Sequence, residues 1–148
     1  MTRQRNEAFI DSIIEDILYG NVEKTLACFD SNAEIHICLG NQLYTDSYAA
    51  TFMGHSGITN FLSLSRQFVE FIHFTPNEYH HENNKMIVRG LLECQMTTTG
   101  SLWSSTWMQI WTMKEEKVAK LRMFADFEAA ALADPVQKET RSLAGSHH

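Results

Sequence analysis

The sequence predicts an α+β protein in which amphipathic helices near the N-terminus precede a long series of strands. Apolar residues recur at spacings of three and four in residues 2–19 and again after residue 56, which is typical of helices with one buried face. Residues 33–39 alternate apolar and polar side chains, which is typical of a strand. After Pro76 the chain consists of strand-length segments separated by short polar turns. Together these patterns indicate helices packed on a mostly antiparallel sheet.

Three helices are predicted. The first covers residues 2–19, and Gly20 is expected to end it because glycine commonly follows the last helical residue. Asn21 is expected to cap a short second helix with its side-chain oxygen. The third helix is predicted to begin near Ser56 and to bury one apolar stripe. That stripe consists of Ile58, Phe61, Leu62, Ser65, Phe68, Val69 and Ile72.

The strands follow from alternation and from the turns that separate them. The strand at residues 33–39 lies between the second and third helices, whereas residues 40–53 lack a clear period and are expected to form a loop or a short irregular strand. Short turns between the later strands imply antiparallel neighbours. These strands are predicted at residues 73–82, 85–98, 102–113 and 118–127, followed by a brief helix at residues 128–133.

Length and charge restrict the classes of protein that fit. The 148 residues suit one domain, predicted at residues 1–134, and residues 135–148 form a polar tail that could be disordered. Acidic residues exceed basic ones by 18 to 12 with no basic cluster, so we expect no nucleic-acid partner. No apolar run approaches the ~20 residues that cross a bilayer, so we expect no membrane partner. The start of the chain lacks a secretory signal pattern, which favours a cytoplasmic protein.

The cysteines and histidines do not have the spacing of a metal site. Cys28, Cys38 and Cys94 are odd in number and include no Cys-x-x-Cys pair, so reduced thiols are expected. No His-Glu-x-x-His pattern or glycine-rich phosphate loop occurs either. The sequence therefore predicts no metal and no cofactor.

Neither face of the last predicted strand is uniformly polar. Arg122 and Phe124 share one parity, while Leu121 and Met123 share the other. A sheet with one face in water should alternate more clearly. We therefore expect a homodimer in which a partner subunit buries the second face of the sheet.

Three short segments and the order of the elements carry a family resemblance. The segments are residues 19–23 (YGNVE), 53–58 (MGHSGI) and 117–126 (KVAKLRMFAD). They resemble the SnoaL-like branch, named for a polyketide cyclase, of the nuclear transport factor 2-like superfamily, over about residues 7–132. The resemblance implies a cone of three N-terminal helices packed on a strongly curved, mostly antiparallel sheet that encloses a small-molecule pocket. The superfamily includes cyclases, isomerases, dehydratases and noncatalytic binding domains, so the fold alone does not assign chemistry.

The same resemblance implies a set of site residues. It places an acid/base aspartate at Asp126, with Arg122 to hold a carboxylate or an oxyanion and Phe124 beside the substrate. In the alternative, Asp126 is structural and pairs with Arg122 or caps the helix that follows. His36 and His55 could supply a second proton donor, or each could be a structural residue.

Three tryptophans form the predicted wall of the pocket. Trp103, Trp107 and Trp111 are four residues apart on one strand, so they project from the same face. Such an aromatic surface suits a flat apolar ligand, and it suits a core or a dimer interface equally well. Both interpretations stay open on the sequence.

The leading hypothesis is a SnoaL-like protein that binds a small hydrophobic or aromatic carbonyl compound in an enclosed pocket. If it is an enzyme, it would catalyse a cofactor-independent proton transfer in a cyclisation, isomerisation or dehydration, with Asp126 and a histidine as acid and base. The alternative is a noncatalytic ligand-binding or dimerisation module. The two hypotheses differ in whether Asp126 and a histidine face one enclosed cavity.

Overall fold

The computed structural model describes residues 3–41 and 47–129, which form three helices and a single six-stranded sheet. The helices are α1 (Arg3–Tyr19), α2 (Val22–Ala27) and α3 (Gly54–Phe68). The strands are β1 (Phe29–Asn41), β2 (Ser47–Met53), β3 (Val69–Glu82), β4 (Lys85–Met96), β5 (Leu102–Lys114) and β6 (Lys117–Ala129). Their order across the sheet is β2-β1-β6-β5-β4-β3. Only the β1–β6 pair is parallel among these described strands, so the predicted α+β class with a mostly antiparallel sheet is confirmed.

The end of α1 is the one predicted from the sequence. Gly20 has a φ angle of 75°, a left-handed conformation that glycine adopts without a steric penalty. The backbone N–H of Asn21 donates to the Asp16 carbonyl oxygen at 2.8 Å, which satisfies a carbonyl group left free at the helix end. The prediction that the Asn21 side chain caps α2 is wrong, because its oxygen accepts no hydrogen bond from the start of that helix. The Asn21 side-chain amide donates to Asp16 Oδ1 at 3.3 Å.

The boundary between α3 and β3 lies earlier than the apolar stripe predicts. Val69 and Ile72 belong to β3, where Val69 pairs with Met96 of β4, so strand pairing overrides the helical period at this point. Pro76 also lies in β3, an edge strand that tolerates its missing N–H group. Two irregularities in the β3–β4 register, after Phe71 and after Pro76, bend this edge of the sheet.

Two further predictions near the other edge require correction. The segment expected to be irregular contains β2, which pairs regularly with β1 from Glu34↔Met53 to Gly40↔Ser47. The helix expected at residues 128–133 does not begin there, because Glu128 continues β6 and pairs with Ser104. Residues 130–133 and the predicted tail at 135–148 lie outside the described residues.

The helices pack on one face of the sheet, which we call the inner face. On β5 the inner face carries the odd-numbered side chains from Trp103 to Trp111, and on β6 it carries Leu121 and Met123. The core lies between this face and α1 and α3. Its fully buried members include Ile10, Ile13, Phe29, Ile35, Ile58, Leu62, Val88, Trp111, Val118 and Leu121.

The opposite, outer face of the sheet has no helix packed on it in the described part of the chain. It presents alternate residues of each strand, including Leu91 of β4, whose side chain is 53% exposed. Half-buried apolar residues, Ile87, Met108, Ile110 and Phe124, lie at the middle of this face.

Candidate ligand-binding cavity

A cavity of about 810 Å³ lies between α1, α3 and the inner face of the sheet. Its volume falls within the range of ~300–1,000 Å³ that is usual for small-molecule sites. Most of its lining is aliphatic or aromatic. The apolar lining consists of Ile14, Ile17, Leu18, Tyr19, Phe61, Val69, Phe71, Ile72, Phe74, Pro76, Tyr79 and Met123.

The deepest polar group of the cavity is the side chain of Gln109 on β5. Gln109 is only 4% exposed, and its Oε1 accepts a hydrogen bond of 3.0 Å from Nε1 of the buried Trp111. An indole N–H can only donate, so the Gln109 carbonyl must face it. The amide nitrogen of Gln109 has no hydrogen-bond partner among the described residues. The cavity therefore offers two oriented N–H donors to a bound acceptor.

At the rim, α1 and β3 are joined by a hydrogen bond between a tyrosine and a carboxylate. The Tyr79 hydroxyl donates a short hydrogen bond to Asp11 Oδ1. Burial contributes most to raising the pKa of Tyr79 far above its usual range, and the hydrogen bond and negative charge of Asp11 add to it. The hydroxyl therefore stays protonated near neutral pH and keeps donating to Asp11.

Other charged residues surround this pair. Glu15 and Glu70 supply two exposed carboxylates to the rim, and Arg66 supplies a guanidinium. Arg66 lies against the end of α1, with Nη1 only 1.9 Å from the position that a β-carbon on Gly20 would occupy. The guanidinium thus sits at the negative end of the α1 dipole.

Aromatic rings contact one another along the β3 side of the cavity. Phe74 stacks on Trp107 with ring centroids 4.5 Å apart, and Phe71 meets Phe74 edge-on at 5.7 Å. Trp107 lies flat on β4, since Gly90 opposite it has no side chain to displace the indole. This stack gives the β3 side of the cavity an apolar, aromatic surface.

The structure places the predicted tryptophans in the core. All three share the inner face, as their spacing predicts, and none belongs to the lining of the cavity. Trp111 is fully buried and Trp107 is 5% exposed behind Phe74, while Trp103 is half-buried. Their contribution to the site is the support of Gln109 and Phe74.

Asp126 lies on the outer face, on the side of the sheet opposite the cavity. Its backbone N–H donates to Ser105 Oγ at 2.9 Å, and its Oδ1 lies 2.9 Å from where a β-carbon on Gly40 would stand. Its exposed carboxylate borders a second pocket, of about 450 Å³, that is also lined by His73 and Glu93. The acid/base role expected for Asp126 would therefore have to operate outside the large cavity.

The other predicted site residues are also on or near the outer face. The guanidinium of Arg122 lies 5.2 Å from the ring centroid of Phe124, and no ion pair found among the described residues joins Arg122 to Asp126. His36 contacts Glu34 Oε1 at 2.9 Å and Thr51 Oγ1 at 3.2 Å.

His55, at the start of α3, has a structural contact of its own. Its Nε2 lies 3.0 Å from the Phe29 carbonyl oxygen, to which it can donate, so the ring ties α3 to β1. His36 and His55 do not line the large cavity, and Asp126 does not line it either. The structure does not bring the predicted catalytic residues together.

Sequence reasoning missed Gln109, Asp11 and Tyr79. A signal for Gln109 was present, because it is a polar residue between Trp107 and Trp111 on the face that carries the tryptophans. A polar side chain on a buried face must find partners, and this one finds Trp111. Asp11 and Tyr79 are 68 residues apart and carry no shared pattern, so only the fold shows that they meet.

In the described ranges, no group of three or more His, Cys, Asp or Glu side chains is arranged to hold a metal ion. Cys28, Cys38 and Cys94 are all free thiols, as predicted. No helix within the described residues has the length and apolarity to cross a membrane.

Comparisons with solved structures agree on the fold. The chain is similar to an NTF2-like protein from Burkholderia xenovorans, with a TM-score of 0.72 and 21% identity over 85% of this chain and 92% of that one. It is also similar to a candidate polyketide cyclase from Xanthomonas campestris, with a TM-score of 0.61 and 11% identity over 82% and 90% of the two chains. A candidate SnoaL-like polyketide cyclase from Mesorhizobium loti gives a TM-score of 0.57 and 12% identity over 83% and 98%.

Neither a family model nor a curated protein matches the sequence. At these identities the structural matches establish the fold and not the activity. The chain has the nuclear transport factor 2-like fold, and its structural neighbours include candidate SnoaL-like polyketide cyclases, so the resemblance expected from the sequence is confirmed at that level.

Proposed function

We propose that the chain binds a small, largely apolar molecule with a carbonyl or hydroxyl oxygen in the cavity between α1, α3 and the inner face. The observation that carries this proposal is Gln109, a buried amide with its carbonyl held by Trp111 and its N–H groups free to donate. An apolar cavity with few oriented polar groups is typical of small-molecule sites. The fold shared with candidate polyketide cyclases is compatible with a ligand of this kind.

The cavity also contains groups suited to proton transfer. Asp11 is a carboxylate held in place by the Tyr79 hydroxyl, and Gln109 can donate to an oxygen on which negative charge develops. Asp11 would take a proton from the carbon beside a ligand carbonyl and return it to the same or another carbon of the ligand. We propose Asp11 for this role because Asp126, the acid/base expected from the sequence, faces the other side of the sheet.

Binding is tested with butyrophenone, an aryl ketone, and with butylbenzene, which lacks the oxygen. We expect calorimetry to show about two- to tenfold tighter binding of the ketone, since one oriented hydrogen bond contributes ~0.5–1.5 kcal/mol. Gln109→Leu should remove this difference without weakening butylbenzene binding.

Gln67→Leu is the matched control. Gln67 is exposed on α3 and outside the cavity lining, so its replacement should leave both affinities unchanged. Equal binding of the two compounds by the unmodified protein, or a ketone preference that survives Gln109→Leu, would contradict the proposal.

A second proposal is that two copies pair through the outer face. No helix covers this face in the described part of the chain, and it presents an apolar centre formed by Ile87, Met108, Ile110 and Phe124. This is the homodimer expected from the last strand of the sequence, and pairing through the outer face is compatible with a ligand in the inner cavity.

A further inference from the structure

The rim of the cavity carries more negative than positive charge. Its lining contains three carboxylates, those of Asp11, Glu15 and Glu70, against the single guanidinium of Arg66. Among the described residues, no lysine or histidine belongs to the lining. Asp11 and Glu15 lie one turn apart on α1, and Glu70 lies on β3, so the three carboxylates come from two elements of the rim.

The one positive charge is already placed against another partner. The Arg66 guanidinium lies over Gly20, at the C-terminal end of α1, where the helix dipole favours a cation. None of the ion pairs between described residues includes Asp11, Glu15 or Glu70. The negative charge at the rim is therefore not neutralised by an ion pair within the described chain. A cavity with apolar walls concentrates the potential of such charges.

The walls next to these carboxylates are aromatic. Phe71 and Phe74 line the cavity on β3, and the Tyr79 ring lies on the same strand beside Asp11. Aromatic faces attract organic cations, with a contribution of ~0.5–2 kcal/mol that depends on desolvation. Carboxylates and aromatic rings together form a surface suited to an alkylammonium group.

We infer that the ligand carries a positively charged amine at the rim and an oxygen acceptor at the floor of the cavity. This inference rests on the proposed function, since it gives the ligand of Gln109 a second polar end. The buried Gln109 amide, whose nitrogen has no described partner, provides the independent sign that the cavity binds a ligand. The predicted class is an amphiphilic amine with an apolar body and a carbonyl or hydroxyl group.

The test uses three butyrophenones that differ only in the group at the end of the alkyl chain. One ends in trimethylammonium, one in the isosteric neutral tert-butyl group and one in a carboxylate. We expect the cation to bind at least about tenfold more tightly than the tert-butyl compound, and the anion to bind most weakly. The advantage of the cation should decrease between low and high salt, because the rim carboxylates are exposed.

Variants that remove one carboxylate each show whether the rim causes the preference for the cation. Glu15→Gln and Glu70→Gln should each weaken binding of the cation by about two- to fivefold and leave the tert-butyl compound unchanged. Glu23→Gln removes the same charge from α2, outside the cavity lining, and should change neither affinity.

The outcomes separate this inference from the proposed function. Equal affinities for the cation and the tert-butyl compound, with Gln109→Leu still weakening both, would overturn the charge preference and leave the ketone site intact. A cation preference that Glu23→Gln reduces as much as Glu70→Gln would also overturn it, since the net charge of the protein would then explain the effect. Binding of none of the three compounds would overturn both proposals.

Discussion

The indole N–H of Trp111 determines which way the Gln109 amide turns. A glutamine on a buried strand face can present either its oxygen or its nitrogen to a cavity, and the two choices recognise opposite partners. Here the Trp111 Nε1 to Gln109 Oε1 hydrogen bond of 3.0 Å leaves the nitrogen as the free end. In the proposed function, the floor of the cavity therefore donates to an acceptor, and Trp111 contributes by orienting Gln109.

At the level of single residues, replacing Asp11 and replacing Asp126 should have different effects on the rate of proton transfer. The assay is deuterium exchange at the carbon beside the carbonyl of butyrophenone, followed by NMR. Asp11→Asn should reduce exchange by about 10²–10⁴-fold, the usual contribution of a general base. Asp126→Asn should leave exchange unchanged and alter the free energy of unfolding by less than about 1 kcal/mol, since its side chain is exposed.

Thermal midpoints and butyrophenone affinity measured on the same samples separate chemistry from folding. Loss of exchange in Asp126→Asn, with an unchanged midpoint and affinity, would restore the hypothesis drawn from the sequence. Absence of exchange in the unmodified protein would leave a binding module without this chemistry.

At the scale of elements, the junction of α1 and α2 contacts Arg66, a residue that also lines the cavity. Gly20 has a φ angle of 75° and lies under the Arg66 guanidinium. Gly20→Ala should lower the free energy of unfolding by roughly 1 kcal/mol or more, because the methyl group meets both a strained backbone and the side chain of Arg66. Chemical denaturation measures this value.

Arg66→Ala separates the two causes of this loss. The double variant Gly20→Ala/Arg66→Ala should recover the part of the loss that comes from the contact and keep the part that comes from the backbone. A fully stable Gly20→Ala protein would be inconsistent with this helix end.

The elements that sequence could predict are those with a local signal. The period of α1, the alternation in β1 and the polar turns between β3 and β6 are each encoded by neighbouring residues, and each is confirmed. The register between α3 and β3 is not encoded locally, since Val69 continues the helical stripe and becomes a strand residue only through its pairing with Met96. β2 lacked a clear period for a similar reason, because its regularity is imposed by β1.

The candidate site was harder to predict than the fold because it depends on which face of the sheet is covered. Alternation places Arg122, Phe124 and Asp126 together on one face, as expected, yet it does not say whether that face meets the helices. The structure puts the helices on the face of Leu121 and Met123. The sequence does not show which of the two faces the helices cover. The site expected around Asp126 and the cavity therefore lie on opposite sides of the sheet.

For the whole molecule, the uncovered outer face predicts a homodimer. Sedimentation at tens of micromolar should give a dimer, and Met108→Lys should give a monomer, because it places a charge at the centre of the apolar face opposite Phe124. Leu64→Lys makes the same change on an exposed position of α3, away from this face, and should stay dimeric. A monomer in the unmodified protein, or equal dissociation in both variants, would contradict pairing through the sheet.

The parallel pairing of β1 with β6 also determines the order in which the chain can assemble. β1 is made early and β6 late, and β6 alone connects the β2–β1 hairpin to the strands β3 to β5. Until β6 leaves the ribosome, one edge of β1 and one edge of β5 lack the strand that they pair with in the folded sheet. Closure of so distant a contact is slow, and the exposed edges can meanwhile pair with other chains. We therefore expect a chain that ends before β6 to leave the edges of β1 and β5 exposed and to associate with other chains.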